Sequence, residues 1–127
     1  MKYLSDYMES RQTDLFNRTG TIFAFSQKQF EEQRKDNVKY VNLGQGMLTE
    51  KPYVEEVING LHKIYKDSIK QDMKENGKNK IILRELENHE CFYTGDITDC
   101  IEKLEDYPIT KIQISKMYFS KIKQLTT

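Results

Sequence analysis

The chain has 127 residues, equal numbers of basic and acidic side chains (20 each), 37% hydrophobic and 31% charged residues. That length suits one domain of 1–127 with a closed core, and recurrent apolar positions argue against disorder. No apolar run of signal-peptide type and no stretch near ~18 apolar residues occurs, so a cytoplasmic protein with no membrane role is expected, its two cysteines, Cys91 and Cys100, reduced.

In chain order, Tyr3, Leu4, Tyr7, Met8, Leu15 and Phe16 recur at helical spacing, and Gly20 is a stop signal. Residues 21–25 read as extended. Ser26 with Gln29 reads as a capping box opening a second helix. Residues 38–43 read as a strand that pairs with 21–25 in a two-stranded ribbon. Gly44-Gln45-Gly46 then reads as a tight turn. It resembles a nucleotide-binding turn only faintly, lacking the third glycine of that motif.

Pro52 sits in the first turn of a long helix that runs to Asn76, with Gly77 at its end. A further helix is expected over 79–92. Asp96 caps the next, with Ile97, Cys100, Ile101 and Leu104 as its stripe, and Thr110 with Gln113 caps the last. The expected fold is mainly α, five or six helices with one short two-stranded β-ribbon.

The balanced charge hides segregation. Residues 51–84 hold eight basic and five acidic groups, residues 85–106 hold eight acids against Lys103 alone, and residues 107–127 hold four lysines and no acid. Separate positive and negative faces favour steered association with charged partners.

On the long helix, Val54, Ile58, Leu61, Tyr65 and Ile69 fall within about 80° of one another at 100° per residue. Lys63, Lys66, Lys70 and Lys74 fall within about 80° on the opposite side, a ridge roughly 16 Å long. Closely spaced cations of this kind suit a phosphate backbone, through counterion release. The bland alternative is a solvated lysine face. The acids Glu85, Glu87, Glu90, Asp96, Asp99, Glu102, Glu105 and Asp106 offer a second reading. With Asp99, Glu102 and Glu105 as the central epitope, they would mimic phosphates and occupy a basic channel, against the bland alternative of solvated acids.

Catalytic readings are weaker. His89 with Glu85 or Glu90, and Tyr93 as proton donor, would make a metal-independent nuclease centre, yet a helix end also attracts His. His62, His89, Cys91 and Cys100 match no zinc template, and on one helix His89 and Cys91 would lie about 200° apart. Neither metal, cofactor nor catalytic residue is assigned. Cys100, on its apolar stripe, reads as a small buried hydrophobe. The last helix, with Ile112, Ile114, Met117, Tyr118, Phe119, Ile122 and Leu125 all round, should be central to a core or covered by a partner.

Three segments, Phe23-Ala24-Phe25-Ser26 with Gln29-Phe30, Tyr40 to Gly46, and Asn88 to Asp96, resemble signature blocks of a family of small proteins encoded by phages and mobile elements, mostly without assigned function. The resemblance supplies no catalytic residues. It implies a host-takeover or counter-defence role like that of anti-CRISPR inhibitors, acting on a host nucleic-acid-guided effector by occupying its RNA or its nucleic-acid channel. The partner would be a host nucleic-acid-binding protein or ribonucleoprotein, with its RNA or the channel that holds it as the surface engaged. A small nucleic-acid-binding regulator is the alternative.

Overall fold

In the computed structural model, which describes residues 1–126, local signals set most element boundaries. Helix α1 spans Leu4–Thr19 and stops at Gly20, whose φ of 65° is the left-handed conformation that a glycine adopts without strain. Strand β1 (Ile22–Phe23) follows. Ser26 Oγ then accepts a hydrogen bond from Gln29 N (3.2 Å) and opens helix α2 (Gln27–Gln33). The Gln29 side chain reaches one residue further back than a capping box requires, accepting from Phe25 N at 2.7 Å.

Strands β2 (Tyr40–Gly44) and β3 (Met47–Glu50) form a hairpin around Gln45 and Gly46, with φ of 52° and 78°. Two positive φ values at the loop residues match the twist of the flanking strands. A Cβ at Gly46 would also meet the tip of the exposed Phe25 ring at 2.5 Å, so that ring would have to swing aside. The expected ribbon is thereby corrected. β1 and β2 do not pair with each other; both pair antiparallel with β3, in the order β1-β3-β2. The hairpin folds Met47–Glu50 back between them, and the Gly-Gln-Gly segment turns strand to strand rather than strand to helix, as a nucleotide-binding turn would.

A 3₁₀ turn (Lys51–Tyr53) containing Pro52 leads into the long helix α3 (Val54–Asn76). Beyond Gly77 lie α4 (Lys78–Asn88), α5 (Cys91–Thr94), α6 (Thr98–Lys103) and α7 (Lys111–Thr126). The fold is mainly α, with seven helices and a three-stranded antiparallel sheet among the described residues. The expected 79–92 helix is two helices, because Glu90 takes a left-handed φ of 54° and breaks it. The capping box of α7 is as read: Gln113 N donates to Thr110 Oγ1 (3.1 Å) and Thr110 N to Gln113 Oε1 (2.9 Å).

The chain forms two compact units, Met1–Ser68 and Ile69–Thr127. In the first, Gly60 of α3 lets Leu15 of α1 close in, since a Cβ at Gly60 would meet the Leu15 methyls at 2.9 Å. A hydroxyl chain, Thr19 to Thr21 (2.8 Å) to Thr49 (3.0 Å), ties the end of α1 to β3. In the second, α4 packs on α5, α6 and α7 around Ile81, Ile82, Leu86, Leu104 and Ile114, all fully buried.

Candidate functional site

Helix α3 carries the lysine ridge. Its buried positions include Val57, Ser68, Ile69 and Asp72, so the inward face is turned towards polar residues relative to the expected stripe. Ile58, expected inside, is 53% exposed. The opposite face remains outward: Lys63, Lys66, Lys70 and Lys74 are all exposed, and among the described residues none of them has an ion-pair partner. One turn beyond Lys63, at about 40° from it on the helical wheel, the exposed Asp67 flanks the ridge with a negative charge.

The acids divide. Asp99, Glu102 and Glu105 are exposed on and just after α6, as the epitope reading requires. Glu85 is not part of that surface. It is 1% exposed and belongs to a buried network in the second unit, which corrects its placement among the surface acids. The centre of the network is Asp72. Arg84 forks onto it, Nη1 to Oδ1 at 2.8 Å and Nη2 to Oδ2 at 2.9 Å; Asn76 Nδ2 donates to Oδ1 (2.7 Å) and the Tyr107 hydroxyl to Oδ2 (2.6 Å). Arg84 Nε donates to Glu85 Oε2 at 2.8 Å. Burial alone would raise the Asp72 carboxyl, but hydrogen bonds from Arg84, Tyr107 and Asn76 and the guanidinium charge hold it below its ordinary value. Burial, with the hydrogen bond to Asp72, pushes the Tyr107 phenol up.

Glu85 Oε1 is left without a hydrogen-bond partner, and 3.7 Å away so is His89 Nε2, itself buried. The structure thus brings together His89 and Glu85, as the nuclease reading required, but turns Nε2 inward. A general acid or base must reach the proton it moves, and this nitrogen has no solvent-exposed surface through which to do so. The break at Glu90 also removes the single-helix argument that set His89 and Cys91 apart.

Cys91 and Cys100 are free and fully buried. Burial pushes the Cys100 thiol up to about 12, and burial with the nearby Asp96 and Asp99 charges raises Cys91 too. Both stay thiols at neutral pH, whereas a nucleophile works as the thiolate. Among the described residues no cluster of three or more His, Cys, Asp or Glu is arranged to hold a metal ion. Among them, too, no helix is long and apolar enough to cross a membrane.

Residues 4–125 match the model of a family of unknown function, DUF7659. The chain belongs to that family. No curated protein and no solved structure matches it. Two surfaces of this DUF7659 member stand out: the ridge of α3 and the carboxylates around α6. α7 adds a third feature. Ile114 and Tyr118 are buried, while Ile112 (66%), Phe119 (64%) and Leu125 (73%) are exposed, so the helix borders the core rather than running through it.

Proposed function

We propose that the protein is a non-catalytic binding protein that engages the phosphate backbone of RNA, free or within a host ribonucleoprotein, through the α3 ridge. The observation that carries this reading is four exposed lysines on one helix face, none with an ion-pair partner among the described residues. Lys66, Lys70 and Lys74 rise about 6 Å per step, a spacing that lets successive ammonium groups meet successive phosphates. The inward-facing His89 nitrogen and the raised cysteine thiols support binding over catalysis. Inhibition of a host nucleic-acid-guided effector, the role the family resemblance implied, is one use of such a surface.

The test is a gel shift on labelled RNA with a variant that reverses Lys63, Lys66, Lys70 and Lys74 to Glu. The wild type should retard the RNA and the variant should not, with unchanged circular dichroism. Equal retardation would remove the ridge from the account.

A second reading has its own observation. Asp99, Glu102 and Glu105 are exposed and, among the described residues, carry no ion pair, which suits presentation of carboxylates to a basic protein partner.

A further inference from the structure

The acids around α6 border something the sequence did not show. Ile101, Ile109 and Ile114 floor a surface groove of about 550 Å³, within the roughly 300–1,000 Å³ typical of ligand sites. Ile109 and Ile114 are 8% and 1% exposed, so the floor is anchored in the core of the second unit. Glu102, Glu105, Thr98 and Lys111 form the walls. Glu102 and Glu105 stand three residues apart, and Asp99 continues their line one turn earlier. Among the described residues neither glutamate is ion-paired, to Lys111 or to any other cation. The groove therefore offers an apolar floor beneath two carboxylates, against one cation, Lys111, that pairs with neither.

That combination selects its occupant. A phosphate chain meets two carboxylates against the single Lys111, a net repulsion, and finds nothing to contact on three isoleucines. A metal ion lacks a ligand set here. A peptide that puts an aliphatic side chain on the isoleucines and an arginine or lysine beside it meets both demands, because the carboxylates accept charge-assisted hydrogen bonds at the rim. We propose that this groove docks a short basic, apolar-anchored segment of a partner protein. The proposal rests on the carboxylate reading, which it deepens, and not on the lysine ridge.

The probe is a fluorescein-labelled amphipathic peptide of about 14 residues with Leu at helical i, i+3/i+4 spacing and Arg between, a pattern suited to grooves. Fluorescence anisotropy against the full chain should show saturable binding. The E102K/E105K double variant, changed at exposed positions and expected to keep the wild-type circular dichroism spectrum, should bind about tenfold or more weakly. A peptide with Leu→Ser should bind comparably weakly, and in the wild type the Ile101, Ile109 and Ile114 methyl resonances should shift on titration. Equal binding of the Leu→Ser peptide would overturn the groove while leaving the carboxylate reading in place. Equal binding by E102K/E105K, or no binding by the wild type, would overturn both. Sedimentation above monomer mass that E102K/E105K abolishes would also overturn the proposal, by making a second copy, with the exposed Ile112 and Phe119 of its basic α7, the occupant.

Discussion

Asp72 shows how a charged residue is held inside a small helical unit. Its two oxygens take four hydrogen bonds, from both Arg84 terminal nitrogens, Asn76 and Tyr107. Removing one partner of such a pair strands the other, so Asp72→Asn should cost about 3–5 kcal/mol, read by chemical denaturation. A loss no larger than that of an exposed substitution would show that Arg84 finds other compensation. The same contacts predict acid sensitivity. A carboxyl whose folded pKa is lowered contributes stability above its unfolded value of about 3.9, and loses it as pH falls through the folded value. Wild-type melting temperature should fall below about pH 4, and Asp72→Asn should flatten that part of the fall; identical acid limbs would contradict the assignment. The network was legible in principle. Asp72 lies midway between Leu61 and Tyr65 of the apolar stripe on the α3 wheel, about 20° from each, and Glu85 falls between Ile81 and Ile82 on α4. Glu85, expected among the surface acids, and Asp72 both lie at helical phases that face the core.

At the scale of elements, termination and capping residues were the readable part. Gly20, Ser26, Pro52, Gly77 and Thr110 all mark real boundaries, because their signals are local in the chain. Strand β3 was not readable. Met-Leu-Thr-Glu is short and sits between a glycine turn and a proline, and its pairing with both neighbours is non-local. The groove beneath Glu102 and Glu105 was hidden for the same reason, since Ile101 and Ile114 meet only when α6 packs on α7. The candidate ridge was legible as a period of lysines, a pattern that leaves out the acid beside it. Asp67 places a carboxylate beside the lysines, and it should weaken phosphate binding by local repulsion. Asp67→Asn should tighten RNA binding severalfold in a filter-binding titration. Unchanged or weaker binding would place the RNA elsewhere than on this face of α3.

Over the whole molecule the net charge is zero, so non-specific attraction to nucleic acid cannot come from overall charge. Any affinity for phosphate must come from local concentration of cations, which residues 51–84 and 107–127 supply and residues 85–106 oppose. This makes the salt dependence of binding diagnostic. Four lysines neutralising four phosphates of a single strand release counterions with a slope of log K against log salt of about −3. The decisive measurement is that slope, taken by fluorescence anisotropy on single-stranded RNA for the wild type and for the variant with Lys63, Lys66, Lys70 and Lys74 reversed to Glu. A slope near −3 for the wild type, with binding lost in the variant, is what the ridge predicts. A variant that binds with the same affinity and the same slope would contradict it.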